Sequence, residues 1–416
     1  MPVFGERMVI RLFRWGVVVG LGAVAVAHHA AADWREPQPF RRDVVDGRQF
    51  DYNTESFLHR FTFEPAPGLN EGARPPRDGV FGTAGSARSD ELYTRQEIQL
   101  TGEFDGPAYF RYRYRRFEDF DGRYDSNLIG IGSGLGQGSG VTATLYGDVE
   151  GAKENVDLHG ELAWDGGDGN HLRATVVAPD FIFNDKQGDA EYGRYPFTYY
   201  LAGGHRLGEA LVYGFANYND NTRLHNHVEN FTYRYQQGRA GLGVEVPFAD
   251  AWEAGLEVEG LYTTRALEDR GDSDLPEQRL RRRHTQVTAE LRHAYSPDTA
   301  VWGGVRYFRL VARERRPDDP GRVDRQDRLE RMAYLGITRR LSERLQLAPG
   351  VFVNHADVRE REDGDRDDER GFYAKLTLPL QVTVNQSTGG YVALNPTARL
   401  HRAAFGGGNV QVYLPF

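Results

Sequence analysis

The chain of 416 residues contains no cysteine, and its 51 Lys and Arg are outnumbered by 60 Asp and Glu. The missing cysteine excludes a disulfide scaffold, a thiolate metal site and a cysteine nucleophile. Because there is no basic excess, binding to nucleic acid is not expected. Hydrophobic residues make up only 39%, whereas there are 49 Gly, 22 Tyr and 23 Phe. This composition does not suit the two or three globular cores expected at this length.

Long apolar runs are also scarce. Arginines precede one apolar run at 15–27 (WGVVVGLGAVAVA), and small residues follow it up to Ala32. This order of basic, apolar and small residues predicts a secretory signal peptide over 1–32 that is cleaved near Ala32. The alternative is an N-terminal membrane anchor. No later run has the ~18 apolar residues of a transmembrane helix.

Alternation of apolar and polar residues recurs along the rest of the chain. It is clearest at 372–384, where every second residue from Phe372 to Val384 is apolar. Such a period of two predicts a long strand with one apolar face. The same pattern occurs at 92–104, 108–117 and 252–267, and a tilted strand that crosses a bilayer needs ~9–11 such residues.

The spacing between these strands alternates as well. Short turns such as 296–298 alternate with longer charged links, of which 64–91, 219–228, 313–327 and 359–370 are examples. This asymmetry is typical of a transmembrane antiparallel up-and-down β-barrel. We count eighteen strands, from 56–64, 92–104 and 108–117 to 389–400 and 408–416, with sixteen as the alternative count.

The domain organisation follows from this count. A periplasmic N-terminal segment is predicted at 33–55, and the all-β transmembrane barrel at 56–416. Segment 229–246 changes its apolar phase near Gly238, which predicts either a bulge or an upper half that stands above the membrane. Loop 64–91 is long enough to fold over or into the pore. The alternative is a loop that stays outside the barrel.

Val412, Leu414 and the terminal Phe416 share one face of the last predicted strand. This end resembles the signal by which the outer-membrane assembly machinery recognises its substrates. Together with the alternation and the turn spacing, it makes the chain resemble bacterial outer-membrane β-barrels. The resemblance implies a multi-pass location in the outer membrane. It also implies contact with outer-membrane lipid and lipopolysaccharide, and with the barrel assembly machinery.

The polar face of the strands is predicted to line the lumen, and eighteen strands leave an aqueous channel. The basic residues of this face that we assign to a substrate path are Arg95, Arg111, Arg113, Arg115, Arg292, Arg306, Lys375 and Arg399.

Arg111, Arg113 and Arg115 form a basic stripe, since alternate residues of one strand lie ~6.6 Å apart on the same face. Arginines in a channel bind and pass anionic solutes. The alternative is that Glu97 and Glu103, across the hairpin, neutralise the stripe.

An eighteen-strand barrel with this stripe resembles the exopolysaccharide-export barrels typified by the alginate exporter. The resemblance implies two kinds of partner, a polysaccharide and periplasmic export components. The leading hypothesis is an outer-membrane channel for a hydrophilic, anionic solute such as an exopolysaccharide. The alternative is a non-conducting surface-binding or scaffold barrel associated with capsule polymer or a periplasmic assembly. A soluble β-sandwich is a third, weaker option.

Enzymatic signals are few. His225 and His227 lie close together, but no third metal ligand is identifiable, and a solvated loop is the simpler interpretation. The sequence contains neither HExxH nor GxSxG. Neither a catalytic site, a metal nor a cofactor is therefore expected.

Overall fold

The computed structural model describes residues 79–88, 92–104, 106–118, 123–136, 138–148, 156–167, 169–181, 190–228, 230–249, 251–269, 277–316, 319–362 and 365–415. All regular secondary structure in these ranges is β, and the strands form one sheet in which neighbours are antiparallel. Within the same ranges, no helix is long and apolar enough to cross a membrane. The predicted signal peptide at 1–32 and segment 33–55 lie outside the described residues.

The sheet is built from 21 strand segments. Their bounds are β1 (Gly79–Arg88), β2 (Leu92–Glu103), β3 (Ala108–Glu118), β4 (Arg123–Gly134), β5 (Val141–Asp148), β6 (Leu158–Gly167), β7 (Asn170–Ala178), β8 (Ala190–Arg194), β9 (Thr198–Leu207), β10 (Ala210–Asn226), β11 (Phe231–Ala249), β12 (Trp252–Asp269), β13 (Gln278–Ser296), β14 (Thr299–Arg316), β15 (Asp319–Ser342), β16 (Leu345–Leu347), β17 (Gly350–Glu362), β18 (Asp365–Thr377), β19 (Leu380–Asn385), β20 (Gly390–Arg399) and β21 (Ala404–Pro415).

Three of the barrel strands are interrupted. Segments β8 and β9 both pair with β10, β16 and β17 both pair with β15, and β18 and β19 both pair with β20. Each interruption contains a proline, namely Pro196, Pro349 and Pro379. Proline has no N–H for the ladder, so the strand breaks there and resumes beyond it. The segments therefore make an 18-strand barrel, which confirms the predicted count and excludes sixteen.

The barrel is closed by β1, which pairs with β2 on one edge and with β21 on the other. Gly82, for example, lies opposite both Ile98 and Val412. The prediction of a loop over 64–91 is therefore wrong at 79–88. The segment GVFGTAGSAR is rich in small residues, so its strand carries little of the alternation that marks the others. The predicted first strand at 56–64 lies outside the described residues.

The two faces of the sheet differ in chemistry. Large apolar side chains are exposed on the outward face, including Ile129, Leu145, Leu162, Leu242, Val305 and Leu335. Charged and polar side chains are buried on the inward face, including Glu97, Glu161, Glu259, Glu330 and Lys375. An apolar exterior around a polar interior is the arrangement of a barrel that is surrounded by lipid. The architecture is that of a transmembrane antiparallel β-barrel.

The turns of the barrel define its two rims. Turns at 208–209, 297–298 and 343–344 belong to the short-turn rim, which faces the periplasm in outer-membrane barrels. The opposite rim is called the long-hairpin rim. There β14 ends at Arg316, and β15 begins at Asp319. The predicted charged links 219–228, 313–327 and 359–370 are therefore largely strand. Backbone ladders need no apolar alternation once a strand has left the lipid.

The predicted bulge near Gly238 is wrong. Pairing between β11 and β12 is regular from Phe231 to Pro247, and the register shift lies on β10 between Asn219 and Thr222. Phe231 and its alternate aromatic neighbours are buried against Leu224. The apolar phase changes because these rings pack together near the long-hairpin rim.

The seam between β1 and β21 depends on close backbone approach. A Cβ atom at Gly85 would lie 2.7 Å from the Gly408 carbonyl oxygen, whereas at Gly82 its nearest contact would be 3.6 Å away. We therefore expect Gly85→Ala to lower the free energy of unfolding by about 1–3 kcal/mol. Denaturant titration of the barrel in lipid vesicles measures this, with Gly82→Ala as the matched control. Equal effects of the two substitutions would contradict the seam geometry.

Candidate functional site: the inner wall of the barrel

The arginine stripe on β3 is organised around a carboxylate of β2. Glu97 lies on the inward face and is 1% exposed. Its two oxygens lie 3.3 Å from Nε of Arg113 and 3.6 Å from Nε of Arg115. Glu97 therefore contacts two arginines of the stripe across the hairpin, and whether this contact cancels the effect of the stripe on anions stays a prediction. Glu103 is exposed and lies opposite Tyr109 near the short-turn rim.

Arg111, the third member of the stripe, points to a different carboxylate. Its Nη1 donates to the Tyr146 hydroxyl at 2.6 Å and lies 3.8 Å from Glu161. Glu161 also accepts hydrogen bonds from Arg173 Nε at 2.6 Å and from the Tyr146 hydroxyl at 3.2 Å. The guanidinium of Arg111 stacks near the Tyr109 ring, 5.6 Å from its centroid. One carboxylate again meets two guanidinium groups.

A third cluster of charged side chains on the inward face involves three neighbouring strands, β11, β12 and β13. Glu259 accepts a hydrogen bond from Arg239 Nε at 2.6 Å and lies 3.2 Å from His284 Nε2. All three side chains are buried. A fourth carboxylate, Glu330 on β15, accepts hydrogen bonds from Arg328 at 2.6 Å and from Asn354 at 3.0 Å.

The remaining predicted basic residues are spread around the wall. Arg306 is buried and donates to the side-chain oxygen of Gln286. Lys375 and Arg399 are both buried and lie directly opposite each other on β18 and β20. Arg292 lies on the inward face of β13, opposite Trp302. The predicted basic residues whose side chains the structure describes therefore lie on five different strands, β3, β13, β14, β18 and β20.

Other residues predicted for the site or the assembly signal are located in part. The backbone of Arg95 lies in β2, between Gly85 of β1 and Phe117 of β3, and its side chain lies outside the described part of the chain. Val412 and Leu414 lie on β21, opposite Gly82 and Val80 of β1. Phe416 is outside the described residues, so the assembly signal stays a prediction.

Several members of the clusters were not predicted from the sequence. These are Glu161, Tyr146, Arg239, Arg328, Glu330 and Asn354. Parity along β6 and β15 places the two glutamates on the inward face. Their partners, however, depend on how neighbouring strands are aligned. The pattern of apolar and polar residues in a single strand does not specify that alignment.

The inner wall is not polar throughout. Trp302, Tyr334 and Phe352 pack on one another, with the ring centroids of Tyr334 and Phe352 5.4 Å apart. Trp302 is 1% exposed, and its indole donates to Thr338 at 3.1 Å. The expectation that the inward face simply lines water is wrong on this side, because aromatic side chains cover the wall of β14, β15 and β17.

The histidine pair at the long-hairpin rim is separated. His225 contacts Thr232 at 2.9 Å, whereas His227 lies 3.6 Å from Glu191. Among the described residues, no group of three or more His, Asp or Glu could hold a metal ion.

Comparison with known proteins finds likeness only at the level of fold. No family model and no curated protein matches the sequence. The fold is similar to Pseudomonas aeruginosa OccK2 (OpdF), at a TM-score of 0.39 and 12% identity, covering 81% of this chain and 96% of that one. It is also similar to the trimer form of OmpT, an outer membrane protein of Vibrio cholerae. Here the TM-score is 0.36 and the identity 10%, and the match covers 80% of this chain and 98% of that one. For a mutant of the Rh. blastica porin, the TM-score is 0.34 and the sequence identity 14%, and the match covers 71% of this chain and 98% of that one.

Proposed function

We propose that this barrel is a passive outer-membrane channel for hydrophilic anionic solutes, an acidic exopolysaccharide among them. The observation that carries the proposal is the inner-wall stripe of Arg111, Arg113 and Arg115. Two guanidinium groups meet the carboxylate of Glu97, and two meet that of Glu161. Where two guanidinium groups share one carboxylate, as in these described contacts, the remaining positive charge attracts anions.

The proposed mechanism is diffusion along this wall. The side chains of Arg111 and Arg115, on the inward face, are 29% and 13% exposed, whereas that of Arg113 is 8% exposed. A guanidinium group binds carboxylate or phosphate through two parallel N–H groups. Contacts of this kind lower the barrier for an anion, while the neighbouring glutamates keep the arginines extended in place. The proposed mechanism involves no chemical step, cofactor or enzymatic activity.

Conductance of purified protein in planar bilayers tests this function. Replacing Arg111, Arg113 and Arg115 together by Ala is expected to lower the anion-to-cation permeability ratio by about fivefold or more, because each charge contributes about 1 kcal/mol at contact distance in water. Reversal potentials in a salt gradient measure that ratio. An unchanged ratio would remove the role assigned to the stripe.

Two further variants sharpen the test. Glu97→Gln is expected to shift the ratio in the opposite direction, toward anions, because it removes the carboxylate between Arg113 and Arg115. Replacing three exposed arginines of the outer face, Arg281, Arg313 and Arg361, by Ala removes the same charge away from the lumen. That control is expected to keep the wild-type ratio.

The second candidate function is a non-conducting barrel that serves as a scaffold or surface-binding protein for an extracellular polymer or a periplasmic assembly. The buried rings of Trp302, Phe308, Tyr334 and Phe352 on the inward face favour it, because large apolar side chains narrow a lumen. Closed, heat-modifiable barrels that give no channel in planar bilayers would support this function and exclude the first.

A further inference from the structure

A row of arginines crosses five neighbouring strands near the long-hairpin rim. Arg281 of β13 pairs with Arg313 of β14, which pairs with Arg325 of β15. Arg325 in turn lies opposite Arg361 of β17, and Arg361 opposite Arg366 of β18. Five guanidinium-bearing residues therefore occupy one ladder row.

The row lies on the outer surface of the barrel. Register between β14 and β15 is regular from Thr299 to Arg315, so Arg313 shares the face of Val305, which is 58% exposed. By the same alternation, Arg325 shares the face of Leu335. Arg281, Arg313, Arg325, Arg361 and Arg366 are all exposed. The arginines stand above the lipid-facing belt on the same side of the sheet.

Like charges directly opposite one another destabilise a sheet, so the row needs anions. Three of the described carboxylates share this outer face, and each contacts arginines of the same surface. Asp327 contacts Arg309 at 3.4 Å and Arg325 at 3.2 Å, Asp357 contacts Arg359 at 3.1 Å and Arg370 at 3.4 Å, and Asp368 contacts Arg366 at 2.5 Å.

Four arginines of this face have no acidic partner among the described side chains. Within the part of the chain that the structure describes, Arg281, Arg313, Arg331 and Arg361 have no acidic side chain within ion-pair distance. These four contribute positive charge on neighbouring strands β13, β14, β15 and β17.

Arg331 marks the lower edge of the surface. In its ladder row it lies between Tyr307 and His355, and His355 lies opposite Phe372. The rings of His355 and Phe372 are 4.8 Å apart, and the whole row lines an outward-facing groove of about 460 Å³. Aromatic and basic residues together are typical of the membrane interface.

The surface extends outward from this interface. Arg325 lies three alternate positions beyond Arg331 on β15, and each such step is ~6.6 Å along the strand, or ~5 Å along the axis of a tilted barrel. The arginines therefore occupy levels from the interface to ~15 Å above it. A ligand with several phosphates at different depths matches that span.

We propose that this outer arginine surface, formed by Arg281, Arg313, Arg325, Arg331 and Arg361, binds the phosphorylated sugar head group of lipopolysaccharide. The long-hairpin rim faces the outside of the cell, where lipopolysaccharide forms the outer leaflet. Arginine holds phosphate through bidentate, charge-assisted hydrogen bonds. The acyl chains would lie along the exposed apolar belt below, and the proposal does not depend on whether the barrel conducts.

Binding of purified lipopolysaccharide to the full chain in lipid nanodiscs tests this site. The variant with Arg281→Gln, Arg313→Gln, Arg331→Gln and Arg361→Gln is expected to bind about tenfold or more weakly, since basic residues near an anionic membrane surface contribute about 1 kcal/mol each. Dephosphorylated lipopolysaccharide is expected to bind the wild-type protein with the same reduced affinity.

Matched variants separate this site from general charge effects. Gln substitutions at four exposed arginines of the short-turn rim, Arg206, Arg339, Arg340 and Arg344, remove the same charge and are expected to leave binding unchanged. Heat-modifiable migration verifies that every variant is a closed barrel. Equal binding by the outer-surface variant, or undiminished binding of dephosphorylated lipopolysaccharide, would overturn the proposal. Displacement of lipopolysaccharide by millimolar inorganic phosphate would overturn the lipid assignment in favour of a free-anion site.

Discussion

Deletion of Gly79–Arg88 is expected to abolish the closed barrel. This segment forms β1, which is hydrogen-bonded to β2 along one edge and to β21 along the other. Without it, β2 and β21 both present rows of unpaired N–H and C=O groups. Each unpaired group costs several kcal/mol in hydrocarbon, so an open sheet does not persist in a membrane. Loss of heat-modifiable migration and of outer-membrane fractionation would report the effect.

Deletion of residues 56–64 is the matched control. Alternation predicts a strand there, yet the described strands close into a barrel without it. The control variant is therefore expected to keep heat-modifiable migration. Barrel formation after loss of Gly79–Arg88, or loss of the barrel only in the control, would show that β1 does not form the seam.

The second large effect is expected at Glu259. Replacing this buried carboxylate by Ala removes the anionic group that the Arg239 guanidinium contacts at 2.6 Å in the inner wall, where Arg239 is 3% exposed. Removing one member of a buried ion pair costs about 3–5 kcal/mol, because the remaining charge stays desolvated. We expect Glu259→Ala to lower the free energy of unfolding by this amount, measured by guanidinium titration in lipid vesicles.

Two comparisons identify the cause. Glu257→Ala, on the same face of the same strand, removes a carboxylate that accepts a hydrogen bond at 3.0 Å from the Tyr213 hydroxyl; loss of that hydrogen bond is expected to cost about 1 kcal/mol. The double variant Arg239→Met, Glu259→Leu removes both charges, and its stability is expected to be close to that of the wild type. If Glu259→Ala is no more destabilising than Glu257→Ala, the cluster is not an ion pair that supports the wall.

The roles proposed for the two charged surfaces of the barrel can be tested separately. The inner stripe of Arg111, Arg113 and Arg115 is tested by ion permeability, and the outer arginine surface by lipopolysaccharide binding. Since the sheet is one residue thick, alternate residues of a strand reach different surroundings. Variants of one face are therefore expected to leave the readout of the other unchanged.

Much of the architecture was predictable because alternation is a local property of each strand. Every strand predicted from 92–104 to 408–416 overlaps an observed strand. Alternation also placed Lys375 and Arg306 on the inward face correctly, since successive side chains of a strand point to opposite sides. The difference between the rims followed from the spacing of turns.

The sequence by itself thus determined the fold class and the face on which most side chains lie, whereas the predicted count of eighteen included 56–64 and lacked β1. Only the tertiary structure decided which residues meet across strands. Strand register brings Glu161 to Arg173, Glu259 to Arg239, and Arg281 into a row with Arg313. It also revealed β1, whose small residues do not alternate, because the open edges of β2 and β21 must both be paired in lipid.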